Sequence, residues 1–307
     1  MKKVTLLCPP GLKNIGNDFI ARGAEEFLKE CGYSITKVSL LNTSDSILYA
    51  HASSYVSDYD KKIIKESDLL LFAGGSCFSR HLTMVYDQIC EEFNKNFIIF
   101  GSSFYEHGGF LEREYKDVSS WVDILFTRDR ITWERLSNDG EHENVIRGLD
   151  MAFFMDVESV LPISSKRDYV VFNIDSPYDI CNELKERYKD EKFYICFNDT
   201  SKIEMCGKIK NTFVSEKWYD YIRFFAGAKK VYTNRVHTFL ACFLTNTPCV
   251  FHKYKSGDHP RLTLFEEIGM RVVDGKLYTK KDYEKIDIKQ IKHNFKKLFK
   301  ESIKKYL

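Results

Sequence analysis

The sequence lacks most of the features that would assign a function at a glance. It has almost no net charge: 46 Lys and Arg stand against 44 Asp and Glu, leaving +2 over 307 residues. Such a balance gives no ground for a nucleic-acid partner. None of the nine cysteines forms a C-x-x-C pair, so the chain carries no zinc-ribbon or thioredoxin-like signature. Their odd number and their place in apolar runs fit reduced, buried thiols of a cytoplasmic protein. No apolar run is long enough to span a bilayer, and MKKVTLLCPPG breaks at Pro9-Pro10 too early for a signal peptide. There is no G-K-[ST] loop, no G-x-G-x-x-G fingerprint and no obvious internal repeat.

What is present is a regular alternation of two periods. VTLLCP (4–9), SITKVSLL (34–41), DLLLFAGG (68–75), NFIIFGSS (96–103) and VDILFTRD (122–129) are short apolar or alternating runs that predict strands. Between them, NDFIARGAEEFLKECG (17–32), DYDKKIIKESD (58–68), MVYDQICEEFNK (84–95) and ITWERLSNDG (131–140) carry helical spacing, two of them with a terminal glycine. A second alternation follows ESVLPISSKRD (158–168), with strands predicted at 169–174, 192–198, 208–215, 229–234 and 248–253. The length suits two domains, and the alternation predicts an α/β fold with parallel sheets. The expected division is an N-terminal Rossmann-like domain over 1–160, a C-terminal one over 166–286, and a terminal amphipathic helix over 287–307. Ile288, Ile291, Phe295, Leu298, Phe299 and Ile303 give that helix an apolar stripe, which predicts packing on the body with a solvated lysine face. A membrane surface is the other reading of those lysines.

The chemistry concentrates at strand ends, where α/β folds place ligands. PGLKNIGNDF puts Asn14, Gly16 and Asn17 between a strand and a helix N-terminus, a turn that offers backbone N–H groups to an anion. A plain turn with a capping Asn17 or Asp18 weighs about equally. Gly74 and Gly75 end another strand and permit a close backbone approach to a ligand. Arg128 and Asp129 end a third, either as an anion clamp or as an Arg–Asp pair fixing a turn. Asp150, ahead of MAFFM, reads as a cap or turn residue. The most specific stretch is TNRVHTFLACFL (233–244). On one helix Arg235 and His237 would diverge by about 200°, so they converge only if Arg235 is still on the turn and His237 in the first helical turn. A helix N-terminus, an Arg and a His then suit a small anion that must also be protonated. Bracing of the helix start is the structural alternative for His237.

These stretches, in this order, resemble the polysaccharide pyruvyl transferase family. NIGND resembles its early N-x-G-D turn, DLLLFAGGS its strand with a glycine run, FTRDRITWERL with GLDMAFF its R-D segment and following D-x-a-f segment, and VYTNRVHTFLACFLTNTPCV its R-x-H helix and Pro-containing strand. Asn17 replaces an Asp and Ala73 a glycine common in the family, and Lys253, Lys255 and Arg261 compete for the place of a late basic residue. The resemblance implies two Rossmann-like domains facing across a cleft, as in B-type glycosyltransferases. It implies phosphoenolpyruvate as donor substrate, no cofactor and no metal, His237 as general acid, and Arg128, Arg235, Asn14, Gly16, Asn17, Gly74, Gly75 and Arg261 as binding residues. The acceptor would be a saccharide or lipid-linked saccharide, giving a pyruvate ketal on a surface polysaccharide precursor. A nucleotide-sugar-dependent glycosyltransferase of similar architecture is the competing reading.

Overall fold

The computed structural model describes residues 2–8, 14–39, 58–74, 89–103, 105–106, 109–110, 119–138, 144–161, 168–174, 186, 188–198, 211–252 and 260–306. In the first half, β1 (Lys3–Cys8) leads through α1 (Ile15–Cys31) to β2 (Ser34–Ser39), and α2 (Asp58–Glu66) leads to β3 (Leu69–Ala73) and β4 (Phe97–Ser102). A small antiparallel hairpin, β5 (Tyr105–Glu106) and β6 (Gly109–Phe110), precedes β7 (Val122–Thr127), α3 (Arg130–Asn138) and β8 (Val145–Arg147). Six of these strands form one parallel sheet in the order β2-β1-β3-β4-β7-β8. Helices cover both faces, which is why β3 and β4 are buried at every residue and read as unbroken apolar runs. The second half holds β9 (Tyr169–Asn173), β10 (Phe193–Cys196), β11 (Thr212–Phe213), α4 (Trp218–Ala226), β12 (Ala228–Thr233), α5 (Val236–Leu244), β13 (Cys249–Phe251) and β14 (Leu277–Tyr278). Its sheet runs β11-β10-β9-β12-β13-β14, parallel except for the antiparallel edge strand β14. Counted within this half the order is 3-2-1-4-5-6, the doubly wound arrangement whose topological switch lies between β9 and β12.

The chain then turns back. After α6 (Lys280–Tyr283), α7 (Ile288–Ser302) crosses to the first half. Phe295 and Phe299 pack among Phe27 of α1, Phe100 of β4, Phe126 of β7 and Phe154, with ring centroids 4.7–6.1 Å apart. Tyr306 donates to the Asp123 carbonyl at 3.0 Å, and Lys296 pairs with Glu30 at 3.1 Å. Between the halves lies a 3-10 helix, Met151–Phe154, tight against α1 at Gly23, where an added Cβ would run into the Met151 carbonyl. Phe153 stacks edge-on against Phe243 and Phe265, so one apolar core continues from the first half into the second. A further polar seam joins α3 and β8 to the 3-10 helix Pro260–Ile268: Arg130 Nε meets Glu266 at 3.2 Å and Arg147 Nε meets Glu267 at 2.5 Å. Among the described residues no helix is long and apolar enough to cross a membrane.

Candidate active site

α5 begins at the switch point of the second sheet. Arg235 is its N-cap, in extended conformation outside the helix (φ −97°, ψ 122°), and its backbone N–H donates to Thr233 Oγ1 at 2.9 Å. His237 therefore sits in the first helical turn and Arg235 on the turn before it, the arrangement that lets the two side chains address one ligand. Beneath them lies a buried polar network at the carboxyl ends of β9, β10 and β12. Asn173 Oδ1 accepts from Thr233 Oγ1 at 3.1 Å and from Thr238 Oγ1 at 2.7 Å; Asn173 Nδ2 donates to the Cys196 carbonyl and to Asn198 Oδ1 at 2.9 and 2.8 Å. Asn198 Nδ2 donates to Thr238 Oγ1 at 3.2 Å. A satisfied buried network of this kind fixes one conformation, because breaking it strands polar groups away from water. Asn173, Asn198 and Thr238 escaped the sequence reading, since a lone polar residue has no period. The signal for the two asparagines was the shared ending of two strand runs, YVVFN and FYICFN, each closing on Phe-Asn.

The first half meets this turn at two places. α1 approaches with its N-terminus: Asn14 caps it, accepting from the Gly16 N–H at 3.0 Å, while the Ile15 N–H reaches across to the Asn198 carbonyl at 3.0 Å. Gly16 lies against the His237 ring, and an added Cβ would stand 2.6 Å from Nδ1 and 3.2 Å from Asn14 Oδ1. Asn17 continues the helix, its N–H on the Asn14 carbonyl at 2.9 Å. From the other side, His237 Nε2 lies 3.3 Å from Asp150 Oδ2, and the same oxygen accepts from Arg128 Nη1 at 3.0 Å. Asp150 Oδ1 accepts the Ala152 N–H at 2.9 Å and so caps the 3-10 helix between the halves. Asp150 is fully buried, Arg128 has a side-chain exposure of 3% and His237 of 18%. Burial alone would push the Asp150 carboxyl up; the charge and hydrogen bond of His237, the Arg128 charge and the Ala152 N–H outweigh it and hold the group at about 2. A carboxylate, a guanidinium and an imidazole thus share one desolvated spot where the two sheets face each other.

Other expected residues fare differently. Arg128 does not form a turn-fixing pair with its neighbour: its ion pair is with Asp150, and Asp129 instead caps α3 through Thr132, at 2.8 Å from the N–H and 3.0 Å from Oγ1. Gly74 has a packing reason to be glycine, since its N–H donates to the Phe100 carbonyl at 2.7 Å and an added Cβ would collide with the β4 backbone. Gly75, Lys253 and Lys255 lie outside the described residues, as does the side chain of Arg261, whose backbone is in the 3-10 helix Pro260–Ile268. Among the described residues no group of three His, Cys, Asp or Glu side chains is arranged to hold a metal.

Comparison with known proteins brings this arrangement a name for its kind. A family model described as polysaccharide pyruvyl transferase matches residues 14–256, which include Asn14, Arg128, Asp150, Arg235 and His237. No curated protein matches the chain. Solved structures share its fold at low identity. A UDP-GlcNAc 2-epimerase from Neisseria meningitidis bound to UDP-GlcNAc superposes with a TM-score of 0.57 at 10% identity, covering 99% of this chain and 100% of that one. The UDP-GlcNAc 2-epimerase from Methanocaldococcus jannaschii gives 0.56 at 10% identity over 95% and 93%. An uncharacterised protein from Klebsiella pneumoniae gives 0.52 at 15% identity over 85% and 87%. At such identities the likeness establishes the architecture alone, that of two Rossmann-like units as in B-type glycosyltransferases.

Proposed function

The chain belongs to the polysaccharide pyruvyl transferase family and is therefore a transferase, and from that premise we propose that it moves the pyruvyl group of phosphoenolpyruvate onto a pair of saccharide hydroxyls. The observation that carries this reading is the start of α5, where Arg235 caps the helix from the turn and His237 stands in its first turn; a helix N-terminus and a guanidinium suit an anion, and an imidazole can give it a proton. Arg235 grips the donor's carboxylate or phosphate, for which its planar fork is suited. Arg128, whose Nη1 is committed to Asp150, adds its positive charge from beneath.

In the proposed reaction His237 gives a proton to the methylene carbon of the enol. The C=C electrons form that C–H bond and leave an oxocarbenium-like centre at the phosphate-bearing carbon. One saccharide hydroxyl adds there and releases its proton, the C–O bond to phosphate breaks, and phosphate departs with the bond's electron pair. The second hydroxyl then closes the ketal. One of the two hydroxyl protons restores His237 and the other leaves on phosphate, so atoms and charge balance. No cofactor enters this scheme. The lysine face of α7 leaves a lipid-linked acceptor compatible with it, and the cytosol supplies the donor.

Crystals soaked separately with phosphoenolpyruvate and with a UDP-sugar test the proposal. Density for phosphoenolpyruvate between Arg235 and His237 supports it. Density for a UDP-sugar in that place, with none for phosphoenolpyruvate, supports the glycosyltransferase reading instead.

A further inference from the structure

We propose that Asp150 is the positioning residue of His237, so that the proton donor is oriented only where the two halves of the molecule meet. The inference rests on the reading of His237 as proton donor and adds the group that orients it. His237 belongs to the second half, at the start of α5; Asp150 belongs to the first, at the cap of the 3-10 helix Met151–Phe154. Neither half contains the pair by itself.

The geometry gives each ring nitrogen a separate task. Asp150 Oδ2 takes the Nε2–H at 3.3 Å, and the carboxylate cannot swing away, because Arg128 holds Oδ2 at 3.0 Å and the Ala152 N–H holds Oδ1 at 2.9 Å. Nδ1 lies beside Gly16 at the N-terminus of α1, where the missing side chain leaves the ring its place. The Nε2–H stays on Asp150 whether the ring is charged or neutral. The proton that moves is the one on Nδ1, and its loss leaves the Nε2–H tautomer. Among the described residues, the charged groups placed near this ring are Asp150 directly, Arg128 through it and Arg235 two residues before it on the helix cap; from α1 the uncharged Gly16 packs against it. The neighbouring guanidinium helps to keep that carboxylate ionised, and so an acceptor for the Nε2–H. The same contact makes the donor dependent on the junction, since separating the halves removes the partner of Nε2.

The test is ¹⁵N NMR of the His237 ring in the whole protein, with its resonances identified by their loss in His237→Asn. The expected result in the unaltered protein is a neutral ring carrying its proton on Nε2; a neutral ring protonated on Nδ1 overturns the proposal. In Asp150→Asn the Nε2 resonance is expected to shift, because an amide replaces the carboxylate that accepts its hydrogen bond, and an unmoved Nε2 resonance overturns it. If Asp150→Asn does not fold, owing to the unpaired Arg128, the tautomer in the unaltered protein still decides. Phosphoenolpyruvate does not enter the experiment. A failure of the donor assignment therefore leaves the result intact, and an Nδ1–H tautomer leaves the donor assignment standing.

Discussion

At the scale of single residues, the site depends on one atom that is absent. Gly16 has no Cβ, and the His237 ring occupies the room a Cβ would take, 2.6 Å from Nδ1. Gly16→Ala is expected to displace the ring and lower turnover by about tenfold or more, with the melting temperature little changed. Turnover and thermal melts on that variant check it; normal turnover with a depressed melting temperature would mark Gly16 as a packing residue only. Asp150 gives a second expectation, in pH. Its carboxyl is held at about 2 in the folded protein against 3.8 ordinarily. A depressed carboxylate contributes stability that is present above the ordinary value and lost as pH falls through the folded one. The contribution is about 2 kcal/mol, so the stability difference between the unaltered protein and Asp150→Asn should narrow by about that much on acidification through this window. Urea unfolding at several pH values measures it. Arg128, Arg235 and His237 could be picked out of the sequence because Arg and His at strand ends are informative by themselves. Asp150 could not be paired with them, because its partners lie 22 and 87 residues away and only the packing of the two halves brings them together.

At the scale of elements, strands were legible wherever both faces are covered: LLLFA and FIIFGS are buried throughout and could be nothing else in an alternating α/β chain. Elements without a period were not. The 3-10 helices Met151–Phe154 and Pro260–Ile268 and the short strand β8 have neither a helical stripe nor a strand alternation, yet they form the seam between the halves. That seam makes its own prediction. Burial pushes the Glu267 carboxyl up to about 7, and the nearby Asp129 and Glu266 add to this, while Arg147 opposes it. A carboxyl raised on folding stabilises fully below its ordinary pKa of 4.5, and this contribution is lost as pH rises through about 7. Glu267→Gln should therefore flatten the fall in stability between about pH 5 and about pH 8; an identical pH slope in thermal melts would show that Glu267 does not titrate there. The aromatic cluster under α7 is expected to be costlier to disturb. Phe299 is fully buried against Phe27, Phe100 and Phe126 of the first half and the edge-on ring of Tyr33, and Phe299→Ala should cost about 3–5 kcal/mol in chemical unfolding.

At the scale of the whole molecule, two doubly wound sheets present the ends of their strands to each other. The second sheet contributes its switch point, with Asn173, Thr233, Arg235 and His237; the first contributes the α1 N-terminus and the Arg128–Asp150 pair. The fold is shared with enzymes of other chemistry, so it does not choose a substrate. On the proposed reading the choice falls to the side chains at the junction, where a guanidinium on the cap and an imidazole in the first helical turn suit a small anion that accepts a proton. Calorimetric titration of the unaltered protein and of Arg235→Lys with phosphoenolpyruvate, and of the unaltered protein with UDP-GlcNAc, tests this most directly. Phosphoenolpyruvate should bind the unaltered protein, bind Arg235→Lys about tenfold or more weakly because a point charge replaces a planar fork, and bind more tightly than UDP-GlcNAc. Binding of UDP-GlcNAc with none of phosphoenolpyruvate would contradict the account.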